Sequence, residues 1–551
     1  PSWIKAHIIP IPNPGKDLSN PSNYRPIALT SCICKLMEKM VNCRLMWYLE
    51  TEGLLAQQQC GFRKYHSTVD HLIRLESTIR NAFINKKHVI AIFFDLEKAY
   101  DTTWKFGILS DLSNLGFRGR LPLFIKNFLN DRQFQVRLGS TLSDIYEQEQ
   151  GVPQGSILSP ALFSIKINKI VDSVRQGSDS SLFVDDFALY ATGSKFPGVQ
   201  RQLQLCVNGI QSWAEENGFK FSTVKTECIH FHNFRTFFPD PEIKLKSSNI
   251  KVVKEAKFLG LIFDQKLNFR SHIKYLKTSC QTALNALKVV AHSDWGADRK
   301  TLLHLYQALV RSKLDYGSIV YGSARPSYLK TLDPIHHQGL RLCLGAFRTT
   351  PVHSLYAEAG EPSLTHRRLK LSLNYYIKLF SEPTNPAYDC VMNPCFQEKF
   401  QENPNSIPPL GIRILPHLEH ADVHLGVVSD FSKFPDDPPW KFKTPIVQFD
   451  LTYYKKESTS TLVYKTVYGE LCQSFPNFQI IFTDGSKSAE GVACAAVSPS
   501  SGNSFLSERI PNDGSIYTAE LTALFLVMKL VQKSKGKHVL IHSDSLSALE
   551  A

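Results

Sequence analysis

The sequence predicts a mixed α/β (α+β) fold in more than one domain, and three stretches carry that prediction. Val89-Ile-Ala-Ile-Phe-Phe94 is a continuous apolar run, as expected of a strand buried on both faces, and Asp95 ends it. Ser181-Leu-Phe-Val-Asp185-Asp186-Phe-Ala-Leu-Tyr190 reads as a hairpin of two apolar half-strands with two carboxylates at its turn. From residue 479 the pattern runs strand, hairpin, strand, helix, strand. At 551 residues the chain exceeds what one core accommodates, so two to four domains are expected.

Taken in order, Trp3-Ile-Lys-Ala-His-Ile-Ile-Pro-Ile-Pro12 is extended and interrupted by proline. Pro26 biases Arg25 towards extended geometry. Apolar residues recur at helical spacing over 34–50, and Gln59-Cys-Gly-Phe-Arg63 is a loop leading into a second helix near 69–83. Gly151-Val-Pro-Gln154-Gly155-Ser-Ile-Leu-Ser-Pro160 precedes an apolar helix near 161–174; its glycines and prolines suit either a close approach to a ligand or a plain connector. An amphipathic helix is expected at about 199–217, and strands over 219–231 and 255–263. From 271 to 380 the pattern is helical and basic, and 11 of the 30 prolines fall between 381 and 450, which predicts a linker with little core of its own or a stretch partly ordered against its neighbours. Because it begins at Pro1 and ends at Ala551 in an opening helix, the chain reads as a fragment.

Charge is uneven. Residues 241–380 carry 22 Lys+Arg against 9 Asp+Glu, while the rest balance at 41 against 41, so the net +13 is concentrated in one region. Such a patch suits a polyanionic partner, although a lysine-rich solvated surface has the same composition. No apolar run reaches the roughly 18 residues of a membrane span. The twelve cysteines lack zinc-site spacing and read as reduced thiols of an intracellular protein.

Two adjacent aspartates in an apolar hairpin resist burial unless a cation compensates them, yet Asp is also a common turn residue. Asp95, at the end of a separate buried strand, is either a further ligand or the cap of the next helix.

With Asp95, Gln154-Gly155, Asp185-Asp186, Lys225 and Phe258-Leu259-Gly260 in this order, residues 1 to about 265 resemble a reverse transcriptase of the non-LTR retrotransposon, jockey-like kind. The resemblance implies a right-hand polymerase with fingers and palm over 1–265, a basic helical thumb and connection over 266–380, a Pro-rich linker over 381–474, and a ribonuclease H-like domain over 475–551. It implies RNA-directed DNA synthesis with two Mg²⁺ ions held by Asp95 and Asp185, Asp186 being the adjacent third carboxylate. Lys225 matches the lysine near the leaving pyrophosphate and Arg25 the residue gripping the triphosphate. Tyr100 matches the aromatic gate against a ribose 2′ hydroxyl, and Gln154 and Gly155 match the loop touching template and nucleotide. Val184 stands where many relatives have alanine, and Asn13 replaces a lysine.

Asp484, Glu520 and Asp544 match three of four acidic ligands for two further Mg²⁺ ions in the ribonuclease H-like piece. The fourth is expected beyond Ala551, and little or no nuclease activity is expected of the fragment. Implied partners are an RNA template, a DNA primer, an RNA:DNA hybrid and deoxynucleoside triphosphates, with no membrane; the resemblance also implies a nuclear location. A remnant that only binds nucleic acid and an RNA-templated RNA polymerase are the competing readings. Tyr100 and the ribonuclease H-like tail speak against the second.

Overall fold

The computed structural model describes residues 3–13, 15–236, 238–292, 294–421, 445–454, 458–499, 504–533 and 538–550. Two compact units divide the chain, Pro1–Asp436 and Asp437–Ala551.

The first unit is organised on a five-stranded sheet. Its strand order is Lys251–Val252, Glu227–Phe231, His88–Phe94, Asp186–Gly193, Ser178–Phe183. Every residue of His88–Phe94 is buried, and the pleat explains why the run is continuously apolar. Ile90, Ile92 and Phe94 pack in one core with Leu203, Val207 and Ile210 of the helix Phe196–Asn217. Val89, Ala91 and Phe93 pack on the other face with Leu72 and Ile79 of the helix Thr68–Ile84. Each fully buried aliphatic side chain contributes roughly 1.5–3 kcal/mol. Ile92→Ala, which leaves a cavity under the site, would cost about 2–5 kcal/mol.

A second sheet lies upstream in sequence. Lys5–Pro12 pairs antiparallel with Tyr24–Leu29 and parallel with Gln133–Leu138. Pro10 and Pro26 face each other in this ladder, so two residues without an N–H share one rung.

The region after residue 265 is helical, as expected. The helices Arg270–Val290, Arg299–Tyr306, Asp333–Leu344 and Leu364–Phe380 supply buried residues such as Leu284, Tyr306, Leu340 and Tyr376 to one core, which also holds Phe258 and Leu261; the strand expected over 255–263 is a hairpin of Glu255–Phe258 and Leu261–Asp264.

The strand expected over 219–231 differs from the structure, and the Pro-rich stretch is ordered against its neighbours. Residues 219–231 form a strand only from Glu227, because the stretch before it is a turn whose Ser222 N–H donates to the Asp95 carbonyl at 2.9 Å. The Pro-rich stretch 381–474 is helical at Tyr388–Met392, Gln397–Glu402, Leu410–His420 and Thr461–Gln473. Val391, Leu410 and Ile414 are buried in the same core as the preceding helices. Proline is compatible with this because, among the described residues, most of it sits between short helices; Pro409 is the N-cap of Leu410–His420, and Pro416 lies inside it. Residues 422–444 and 455–457 of that stretch lie outside the described residues.

In the second unit a four-stranded sheet has the order Ser504–Ile510, Gly491–Ser498, Gln479–Ser488, Val539–His542, with the last pair parallel. The helix Ile516–Lys533 packs Ala519, Ala523 and Val527 onto Ile481, Cys494 and Ala496. All twelve cysteines are free thiols. Among the described residues no helix is long and apolar enough to cross a membrane.

Candidate active site

The antiparallel register Phe94 to Phe187 and Phe183 to Asp186 brings three carboxylates to one end of the first unit's sheet. Asp95 follows the last paired residue of the central strand, so it stands beside Asp186. Val184 and Asp185 form the two-residue turn. Val184 has φ 61°, a left-handed conformation that costs a residue with a Cβ about 1–2 kcal/mol. A β-branched residue is an uncommon choice there, and the surroundings must hold it.

These carboxylates feel one another. The Asp186 carboxyl is pushed up to about 6, by desolvation first and then by Asp185 and Asp95. Asp185 is also raised, chiefly by desolvation and by Asp95, while Arg25 opposes the shift. Both side chains remain solvent-exposed at the turn, so an arriving cation has access. Asp95 Oδ2 lies 3.3 Å from Lys225 Nζ and is buried with no hydrogen-bond donor. Among the described residues the Lys225 ammonium is its one ion-pair partner, without hydrogen-bond geometry. Lys225 is delivered by the turn that precedes Glu227–Phe231: Glu97 N–H donates to the Lys220 carbonyl at 2.9 Å, and Asp95 N–H to Thr226 Oγ1 at 3.4 Å.

Tyr100 is half-buried, with its ring stacked on Phe163 at 4.9 Å between centroids. Desolvation first, and the nearby Asp185 second, push its phenol up, so it is a neutral wall beside the turn. The Tyr100 carbonyl accepts the Val152 N–H at 2.8 Å, and a Cβ on Gly151 would lie 2.6 Å from that oxygen. Glycine is thus required where the loop 151–155 passes under Tyr100.

The same loop is tied to the strand that bears Arg25. Ala28 N–H donates to the Gln154 carbonyl at 2.7 Å, and Gly155, at φ 118°, approaches the Ala28 carbonyl so closely that a Cβ would lie 2.7 Å from it. Gln154, Gly155, Arg25, Tyr100, Asp95, Asp185, Asp186 and Lys225 all belong to the first unit.

Sequence reasoning missed Glu38. It is buried on the helix Cys32–Thr51, and its Oε2 accepts the amides of Ile157 at 2.7 Å and Leu158 at 3.3 Å and the Ser156 hydroxyl. An anion at the start of the helix Ser159–Ile167 satisfies orphan N–H groups and fixes the loop before it. A glutamate within a helical pattern has no signal that separates this role from a solvated one.

In the second unit Asp484, Glu520 and Asp544 have carboxylate oxygens all within 4.8 Å of one another, the one such trio of potential metal ligands among the described residues. Glu520 is buried, its Oε2 has no donor, and its carboxyl is raised by burial, then by Asp544 and Asp484. A Cβ on Gly485 would lie 2.7 Å from Glu520 N, so glycine lets the helix carrying Glu520 reach the strand carrying Asp484. Asp95, Asp185 and Asp186 are not drawn so tightly together.

Both sets are oxygen-only and under-compensated, which fits a hard divalent cation rather than zinc held by nitrogen or sulfur.

Residues 11–263 match the family described as "Reverse transcriptase (RNA-dependent DNA polymerase)". The RNA-directed DNA polymerase from mobile element jockey of Drosophila melanogaster is 27% identical over 398 residues, 70% of this chain and 42% of that protein. The probable RNA-directed DNA polymerase from transposon BS of the same fly is 29% identical over 367 residues, 64% of this chain and 40% of that one. The chain thus spans about two fifths of the length of these relatives. A solved telomerase from Candida tropicalis in complex with a telomeric RNA fragment is similar over 76% of this chain and 64% of its own, with 13% identity and a TM-score of 0.37. Over residues 11–263 the chain is thus similar to the reverse transcriptase family, and the relatives it matches over a wider span are RNA-directed DNA polymerases of mobile elements.

Proposed function

We propose that the chain catalyses RNA-templated DNA synthesis for a non-LTR retrotransposon. The observation that carries this is the convergence of Asp95, Asp185 and Asp186 at one sheet end, with Lys225 against Asp95 and Tyr100 and Arg25 near Asp185. Asp95 and Asp185 would hold two Mg²⁺ ions, with Asp186 beside them. When bound, the metal lowers the cost of ionising the attacking hydroxyl and stabilises the charge that develops on the phosphate oxygens.

In the reaction the primer 3′ hydroxyl would lose its proton to solvent as its oxygen bonds to the α-phosphorus of a deoxynucleoside triphosphate, and the bond from that phosphorus to the bridging oxygen of the β-phosphate would break to release pyrophosphate. Arg25 presents a fork of donors suited to the triphosphate. Lys225, paired with Asp95 at 3.3 Å, would release a proton to the leaving pyrophosphate once that pairing is exchanged for the phosphate. Tyr100, held flat by Phe163, would exclude a ribose 2′ hydroxyl, and Gln154-Gly155 would contact template and nucleotide.

The domain reading that goes with this is fingers and palm over 1–265 and a basic thumb and connection over 266–380, which the helices to His420 extend. Residues 475–551 would be ribonuclease H-like, with Asp484, Glu520 and Asp544 holding divalent cations for hydrolysis of RNA in an RNA:DNA hybrid. A nuclear place of action goes with this reading, as the resemblance implies.

Extension of a DNA primer on an RNA template with deoxynucleoside triphosphates and Mg²⁺ tests the proposal. Binding of the template-primer with no extension in Mg²⁺ or Mn²⁺ would contradict it, and equal use of ribonucleotides would favour RNA synthesis.

A further inference from the structure

The carboxylate turn is held from outside its own sheet. The segment Gln58 to Gly61 runs alongside the edge strand Ser178–Phe183: Leu182 N–H donates to the Gln58 carbonyl at 3.0 Å, and Cys60 N–H donates to the Leu182 carbonyl at 3.0 Å. Gln59, between them, pairs with Leu182 and is fully buried. Its side-chain Oε1 accepts two amides, that of Gly61 at 2.9 Å and that of Val184 at 3.3 Å. Val184 is the left-handed turn residue that immediately precedes Asp185.

The segment is itself anchored. Arg63 donates to the Ala56 and Gln59 carbonyls at 3.0 Å each and pairs with both carboxylate oxygens of Glu50, at 2.8 and 2.7 Å. Gly61 closes the approach, since a Cβ there would lie 2.5 Å from Val184 Cγ2. The chain from Glu50 to Val184 is therefore a continuous set of contacts between a helix and the turn.

We propose that Gln59 is a positioning residue for the carboxylate turn: its side-chain oxygen holds the Val184 amide, and so sets the direction in which Asp185 and Asp186 are presented. It does not touch substrate. An amide oxygen is suited to the task because it accepts two N–H groups without adding a negative charge beside two existing ones. The inference rests on the polymerase reading for its kinetic consequence, and on the hydrogen bonds alone for its structural one.

The test uses the full chain and Gln59→Met, which keeps length and apolar volume and removes the acceptor. Hydrogen exchange of the hairpin 178–193 reports the clamp whether or not the protein extends a primer. Exchange at Val184 is expected to quicken in the variant, while the helix 68–84 stays protected. In primer extension kcat is expected to fall roughly 10- to 100-fold and the Mg²⁺ concentration for half-maximal rate to rise, with the KM for deoxynucleotide changed less than about threefold. Gln59→Asn, which withdraws the oxygen by one methylene, should give the same signature with a smaller loss, and serves if the methionine variant melts early. Unchanged exchange at Val184, or a loss that appears only as lower melting temperature with wild-type metal dependence, overturns the proposal. If wild type itself extends no primer, the polymerase reading fails, and the exchange result still decides whether Gln59 holds the turn.

Discussion

Glu38 Oε2 accepts the Ile157 amide at 2.7 Å across 119 residues of sequence, and this carboxylate holds the C-terminal end of the loop that carries Gln154 and Gly155. Glu38→Ala would leave the Ile157 amide without its acceptor and the Leu158 amide with the Ser156 hydroxyl alone, at a cost of roughly 1–3 kcal/mol. Urea unfolding should show that loss, and primer extension should show a raised KM for deoxynucleotide because the loop is loosened.

The carboxylate turn makes a pH-dependent prediction. Asp186 has a folded pKa raised to about 6 from 3.8, so between those values the folded protein holds more protons than the unfolded one. Stability contributed by this group is present below pH 3.8 and lost as pH rises through about 6. Asp186→Asn should therefore raise the melting temperature of metal-free protein at pH 8 and leave it unchanged at pH 3.5. Mg²⁺, which favours the ionised carboxylates, should raise the melting temperature of wild type more at pH 8 than at pH 5.

Arg413 connects the helix Leu410–His420 to the helix Thr68–Ile84. It lies 3.4 Å from Glu76 Oε1, which is fully buried and also paired with Arg80 at 3.3 Å. Arg413→Ala would remove one of two compensating charges from a buried carboxylate; because Arg80 remains, the cost should be about 1–3 kcal/mol, below that of isolating a buried charge. Chemical denaturation measures it, and Glu76→Gln should reduce the penalty of the arginine change in a double-mutant cycle.

In the second unit, Gly485→Ala would press a methyl against Glu520 N and push the helix from the strand that bears Asp484. Mn²⁺ binding, followed by electron paramagnetic resonance in a chain that also carries Asp95→Asn and Asp185→Asn, should weaken at least tenfold. An equal affinity would mean that Asp484, Glu520 and Asp544 do not act as one site.

The site was legible in sequence where chemistry and pattern conflict. Asp95 closes an otherwise apolar strand, and Asp185-Asp186 interrupts an apolar hairpin, so each stands out from its surroundings. The sheet register that joins them follows from the two buried runs pairing along their length. Lys225 was legible by its match to the family motif, but its structural context was misread: apolar alternation in Phe219-Lys-Phe suggested a strand where burial against Leu96 and Trp213 holds a turn. Glu38 and Gln59 were not legible as site residues, because their partners lie over a hundred residues away and their local patterns are an ordinary helix and an ordinary loop. The helices between 388 and 420 were obscured by prolines that punctuate rather than prevent them.

The central claim, that the carboxylates at this sheet end drive RNA-templated DNA synthesis, is tested most directly by comparing wild type with Asp185→Asn in primer extension on an RNA template with Mg²⁺. The account predicts extension by wild type and a loss of at least about a thousandfold in the variant, with template-primer binding retained. Equal extension by both proteins would contradict it.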